Sequence, residues 1–339
     1  MERSNLTARA FTSRVVAVAG GTLLALSPLT AQAAQATPHT QNAPATQKSP
    51  QALQTFQTPR TPQARQTAPA VAAKGASLVD GATGKTLFGK DADTARPMAS
   101  TAKIMVASVV LDADGADLER QIPVKQEYRD YVTQHSSSTA DLQTGDKLTV
   151  RQLLYATLLP SGADAAYALA DTFGTGGTNA ERTASFISQM NKKAADLGLA
   201  HTTFDSFDGG GTDASTPNEL AKLAQYAMKN DTFRTVVKAK QYKADAPAAN
   251  GRTRYYTWNN TNQLLGSYDG VIGIKTGTTT PAGDCLVFAA TRGDKTLVGT
   301  VLNSKDRYGD AAKMLDHGFG SAKAKTMKLR ALPANTQRD

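Results

Sequence analysis

The chain has 339 residues, 40% hydrophobic and 20% charged, which suits an ordinary folded protein with room for one large core or two small ones. Of its formal charge of +9, residues 1–33 contribute +2 and residues 34–73 a further +3. The remaining +4 is spread without any basic run interleaved with aromatics, which speaks against nucleic acid as a partner, and a single cysteine excludes an internal disulfide.

The N-terminus reads as a secretory signal peptide over residues 1–33. Arg3, Arg9 and Arg14 lead into an apolar run at 15–26, followed by Pro28 and the small-residue site Ala31-Gln32-Ala33. The run is too short to span a bilayer comfortably and no later segment qualifies, so a secreted chain without a transmembrane segment is expected, placed in the cell wall or periplasmic space. Residues 34–73 are dominated by Ala, Gln, Thr and Pro and cannot bury enough apolar surface to offset their ordering entropy; a disordered linker is expected.

From residue 74 the pattern is that of a folded domain, expected to run to about residue 323. Two short strands flank Asp80-Gly81-Ala82-Thr83-Gly84, a hairpin. Helical spacing follows in "TVRQLLYATLLP", "GADAAYALADTF", "ASFISQMNKKAADLGL" and "TPNELAKLAQYAMKN". In the last, Thr216 caps, Pro217 fits the first turn and Glu219 completes a capping box. Near the end "CLVFAAT" and "TLVGTVL" flank Arg292-Gly293-Asp294-Lys295, a second hairpin. Cys285 sits in that apolar run as a buried small hydrophobe. Strands at both ends with helices between predict an α+β fold, an antiparallel sheet closed by distant segments and flanked by helices, plus a helical lobe. Residues 324–339 read as a C-terminal tail without an amphipathic anchor.

Several patterns carry no chemistry. "DADGAD" at 112–117 has its glycine and distal acid misplaced for a calcium loop and reads as a surface turn. The four histidines have no ligand spacing, so no metal or other cofactor is expected. Gly209-Gly210-Gly211 is not followed by the lysine of a phosphate loop and reads as a plain loop.

The chemistry concentrates in three places. In "RPMASTAKIMVASVVL" Ser100 stands where it could cap a helix beginning at Thr101, with Lys103 one turn on along the same face. A serine becomes a nucleophile only when a base removes its proton, and an amine can do so only when neutral, a form favoured by burial and by a second cation nearby. Such a second lysine exists in Lys275-Thr276-Gly277, at the end of an alternating strand where glycine admits a substrate backbone. Between them Ser161 lies in a loop just before a helix. S-x-x-K, a loop serine and K-T-G in that order are the set of penicillin-binding proteins and class A β-lactamases.

With these motifs the sequence resembles the low-molecular-mass serine D-alanyl-D-alanine carboxypeptidases, a penicillin-binding family, from about residue 75 to 320. The stretches "LVDGATGKTLFGKDADTARPMASTAKIM", "LLPSGADAAYALAD", "NTNQLLGSYDGVIGIKTG" and "MLDHGF" share in the likeness. The resemblance implies a β-lactamase/DD-peptidase-like fold and peptidoglycan stem peptides ending in D-Ala-D-Ala, with β-lactam antibiotics, as partners of a monomer. It assigns Ser100 as nucleophile, Lys103 as its base and Ser161 as proton relay, with Ser100 and Thr278 amides as oxyanion hole. Lys275 and Thr276 would hold the substrate carboxylate, with Gly277 and Thr278 completing the substrate-binding strand.

One departure stands out. The second motif is usually Ser-x-Asn, and here Ser161-Gly162 is followed by Ala163, which can bond neither the lysine nor the substrate. A slower or more selective acyl-transferase is expected, and two rivals stay open. A class A β-lactamase would need a deacylating glutamate, and neither Glu181 nor Glu219 has the expected context. A non-catalytic wall-binding module would have no need to keep Ser100, Lys103, Ser161 and Lys275-Thr276-Gly277.

Overall fold

The computed structural model describes residues 67–334 and 336; the signal peptide, almost all of the linker and the last few tail residues lie outside them. The first hairpin forms as expected, β1 (Gly75–Asp80) pairing antiparallel with β2 (Thr86–Lys90). Its turn is tied by Asp80, whose carboxylate accepts from the Thr83 amide at 2.9 Å and the Thr83 hydroxyl at 2.8 Å. β3 (Arg96–Pro97) then leads into a 3₁₀ turn, Ala99–Ala102, and helix α1 (Lys103–Leu111).

The helical lobe follows. β4 (Gln121–Pro123) and α2 (Gln126–His135) precede β5 (Lys147–Thr149), which pairs with β4. Next come α3 (Val150–Leu158), α4 (Ala163–Phe173) and α5 (Asn179–Asp196). Thr149 with Gln152 and Thr178 with Glu181 form reciprocal capping boxes at the starts of α3 and α5. β6 (Ala214–Ser215) pairs with β3 ahead of α6 (Pro217–Ala227). Thr216 does cap α6, with Pro217 in its first turn, but Glu219 does not close the expected box. Its carboxylate is taken by His201 and Thr202, whose backbone and hydroxyl donors lie at 2.6–3.1 Å. α7 (Asp231–Lys238), capped by Asn230, and a ribbon of β7 (Gln241–Pro247) with β8 (Thr253–Asn259) had no signature in the sequence reading.

β9 (Val271–Thr279), β10 (Gly283–Arg292) and β11 (Lys295–Ser304) return the chain to β1, giving an antiparallel five-stranded sheet in the order β2-β1-β11-β10-β9. The β10–β11 turn is the expected one, Arg292 pairing with Lys295. Alternation along β10 divides the interior. Cys285, Val287 and Ala289 join the core of the helical lobe, whereas Leu286, Phe288 and Ala290 join a second core under α8 (Arg307–Phe319). Opposite Phe288 stands Gly299, where a Cβ would come within 2.3 Å of the ring.

Both margins of the domain are fastened. Ala72 and Ala73, whose composition places them with the linker, donate their amides to the buried Asp310 carboxylate at 2.9 and 2.8 Å. In the tail, Arg330 donates to the carbonyls of Asn260, Asn262 and Leu265 at 2.8–3.2 Å. Among the described residues no helix is long and apolar enough to cross a membrane.

Candidate active site

Ser100 occupies the 3₁₀ turn ahead of α1, and the expected helix cap is not formed: the α-helix begins at Lys103 and no side chain caps it. The reason is a competing partner. Lys103, the first helical residue, brings its Nζ to 2.9 Å from Ser100 Oγ. The same Nζ donates to the backbone carbonyl of Asp208 at 2.7 Å, and the side chain is 1% exposed. Ala99, just before the serine, holds a left-handed φ of +49°, a conformation that costs a non-glycine residue about 1 kcal/mol.

The third motif lies against this turn. A Cβ on Gly277 would stand 2.8 Å from the Ser100 nitrogen, so only glycine lets β9 approach Ser100 this closely. Thr278 lines the same cavity as Ser100 and Lys103, a cleft of about 230 Å³. Its hydroxyl donates to Asp284 at 3.0 Å and accepts from Arg307 at 2.9 Å. Lys275 and Thr276 are buried in β9 beside the cavity rather than lining it. Lys275 Nζ donates to the Thr276 carbonyl at 3.0 Å, and the Thr276 hydroxyl meets that of Thr261 at 2.6 Å.

Ser161 is also buried beside the cavity, in the short connection between α3 and α4, with φ at +67°. Its neighbours are tied on both sides: the Leu159 carbonyl accepts from the Thr261 amide at 3.1 Å, and the Ala163 amide donates to the carbonyl of Ser138, a residue of the cavity lining, at 2.8 Å. The hydroxyl itself has no hydrogen-bond partner among the described residues, a state that costs a buried donor on the order of 1–3 kcal/mol. Ala163 is fully buried as the first residue of α4. The Asp208 carbonyl supplies Lys103 with an acceptor that Ala163 does not offer.

Other parts of the site escaped the sequence. The loop packed against Ala99 and Ser100 is Gly209-Gly210-Gly211, more than the plain loop expected, and a Cβ on Gly209 would fall 2.0 Å from the Ala99 carbonyl oxygen. Three successive glycines were the available signal, since they mark close backbone approach as readily as a phosphate loop. Burial pushes the Asp208 carboxyl upward, but the Lys103 charge, the Gly210 amide and the Ser137 hydroxyl outweigh it and hold the group below its usual range. Arg307, at the start of α8, donates to the Gly277 carbonyl at 3.2 Å, and nothing local in its sequence marks it as buried. Tyr131, His135 and residues 136–138 complete the cleft. Cys285 is buried as expected, and burial pushes its thiol up to about 11, which removes it from nucleophilic chemistry at neutral pH.

Comparison with known proteins finds relatives over most of the chain. A family model described as D-alanyl-D-alanine carboxypeptidase matches residues 62–306. A D-alanyl-D-alanine carboxypeptidase of Streptomyces sp. strain K15 is 52% identical over 259 residues, 75% of this chain and 89% of that protein. One from Mycobacterium tuberculosis is 36% identical over 247 residues, 70% of this chain and 79% of its own. The crystal structure of the Streptomyces K15 DD-transpeptidase superposes with a TM-score of 0.74 at 52% identity, covering 75% of this chain and 99% of that one.

Proposed function

The chain belongs to the D-alanyl-D-alanine carboxypeptidase family, and from that membership we propose that it is a serine acyl-transferase acting on stem peptides ending in D-Ala-D-Ala, with Ser100 as its nucleophile. The observation that carries this is the 2.9 Å contact between Ser100 Oγ and Lys103 Nζ in a cleft shared with Thr278 of β9. Ser100 Oγ attacks the carbonyl carbon of the penultimate D-Ala while its proton passes to Lys103 Nζ. The amides of Ser100 and Thr278 stabilise the resulting oxyanion. When the C–N bond breaks, the proton moves through Ser161 to the leaving nitrogen, terminal D-Ala departs and an ester on Ser100 remains. Water then gives carboxypeptidation, and an amine gives a cross-link.

The cationic end of the site supports the placing of the substrate carboxylate. Lys275 and Arg307 both stand at β9, one on the motif itself and the other on the carbonyl and hydroxyl of Gly277 and Thr278. β-Lactams, whose ring carbonyl and carboxylate present the same pattern, acylate the same serine. The site is built within one chain, which supports action as a monomer, and a wall-peptide substrate supports an extracytoplasmic location. The β-lactamase and non-catalytic readings are not favoured by the family match or by the engaged Ser100–Lys103 pair.

The test is the intact mass of the protein after mixing with benzylpenicillin, beside Ser100→Ala. A lasting one-to-one adduct, absent from the variant, is expected. Drug turnover without an accumulating adduct would indicate a β-lactamase, and no reaction at all would overturn the nucleophile assignment.

A further inference from the structure

The C-terminal tail reaches back into the domain at Arg330. Its guanidinium collects three backbone carbonyls of one loop: Nη2 donates to Asn260 at 2.8 Å and to Asn262 at 3.2 Å, and Nε to Leu265 at 3.1 Å. Asn260, Asn262 and Leu265 are all buried, and a planar fork of donors suits carbonyls that converge on one point. The Arg330 backbone fastens the same loop, its amide donating to Ser267 Oγ at 2.7 Å and its carbonyl accepting from the Gln263 side-chain amide at 2.8 Å. The residue lies beyond the stretch 62–306 that the family model matches.

The loop held in this way carries Thr261, which stands where the motifs of the site meet. Its hydroxyl is 2.6 Å from that of Thr276, and its carbonyl accepts from the Tyr308 hydroxyl, next to Arg307, at 3.0 Å. Its amide donates to the carbonyl of Leu159, two residues before Ser161, at 3.1 Å. The peptide unit joining Asn260 to Thr261 is therefore held at both ends, the oxygen by Arg330 and the N–H by Leu159. From the guanidinium to Thr276 the path is two hydrogen bonds joined by one peptide bond and one threonine side chain.

Resting on the reading above, in which Lys275 and Thr276 hold the substrate carboxylate, we propose that Arg330 is a positioning residue. The tail acts as a strap that fixes the Asn260–Thr261 peptide and, through Thr261, the Thr276 hydroxyl at the carboxylate end of the site. Loss of the strap lets that peptide unit turn, and Thr276 loses the partner that orients it. Ser100 and Lys103 make no contact with the loop and keep their own.

The test follows Ser100 acylation by intact mass with benzylpenicillin and with its methyl ester, which lacks the carboxylate. Arg330→Ala should slow acylation by the free acid about tenfold and by the ester no more than about twofold. Millimolar guanidinium, which fits the vacated fork, should restore part of the loss. Arg330→Lys keeps the charge but not the fork, and should stay at least about threefold below wild type with the free acid. An Arg330→Ala protein that matches wild type, or that loses equally with acid and ester as a merely destabilised protein would, overturns the proposal. Full recovery in Arg330→Lys overturns it too, since charge alone would then suffice. A wild-type protein that forms no adduct with either compound would instead overturn the peptidase reading on which it rests.

Discussion

Gly209→Ala tests whether the glycine loop holds the nucleophile in place. Gly209 has φ of +89°, and an added Cβ would stand 2.0 Å from the Ala99 oxygen, 2.3 Å from its carbonyl carbon and 2.7 Å from the Ser100 nitrogen. All three neighbours are backbone, so no side chain can swing away. Either the loop withdraws, breaking the Lys103 bond to the Asp208 carbonyl, or the Ala99–Ala102 turn moves and carries Ser100 with it. The first route loses a bond to a charged group, about 1.5–3 kcal/mol, and a displacement near 1 Å at the nucleophile costs about a hundredfold in rate. The acylation rate with a fluorescent penicillin should therefore fall by roughly a hundredfold or more. Gly293→Ala is the matched comparison: its φ of +54° imposes a similar backbone cost, but its Cβ would meet nothing within 4 Å. It should lose about 1 kcal/mol of stability and acylate at the wild-type rate. Gly209→Ala acylating within twofold of wild type would refute the reasoning.

Two other outcomes follow from the same geometry. Ala163→Asn should lower the melting temperature, since Ala163 is fully buried and overpacking costs on the order of 1–3 kcal/mol, yet change acylation by less than about tenfold because Lys103 already has the Asp208 acceptor; a much larger rate gain would show that the missing asparagine limits the site. Asp213, 2% exposed, is pushed up to about 8, first by burial and then by its hydrogen bond with Asp205. The folded chain thus keeps a proton that the unfolded chain releases near pH 4, so this group's contribution to stability is full below that pH and is lost as pH rises to about 8. Asp213→Asn should remove that decline, gaining on wild type between pH 5 and pH 8 in urea unfolding; a constant gap between the two proteins would refute the assignment.

The candidate site residues stood out because the chemistry proposed for them demands fixed types at fixed intervals: Ser100 and Lys103 three apart, Lys275 through Gly277 on one strand. The hairpins at 75–90 and 285–302 were legible through alternation and turn residues. The Ser100 cap and the Glu219 box failed because a side chain or backbone group other than the expected one took the capping residue: Lys103, one turn on, for the serine, and the more distant His201 and Thr202 for the glutamate. α7 was hidden because its start at Asp231 follows α6 after three residues, so the two helical patterns run together. Asp208, Arg307 and the α2 end of the cleft come from segments far apart in the chain and meet only when the sheet closes. Their roles depend on a backbone carbonyl and a buried guanidinium, neither of which is written in residue spacing.

The clasp at Asp310 sets where this protein can be shortened. Its carboxylate, fully buried, takes the amides of Ala72 and Ala73 together with the Ser304 hydroxyl at 2.7 Å. Residues 67, 68 and 70, by contrast, are exposed. A protease trimming this margin inward meets little resistance until it reaches Val71, which packs on the second core and accepts from Lys90 at 3.0 Å beside the clasp. Removing Ala72 and Ala73 would strip two donors from a carboxylate that water cannot reach, at a cost of about 1.5–3 kcal/mol each. The durable N-terminus of the trimmed protein should accordingly settle just ahead of Val71.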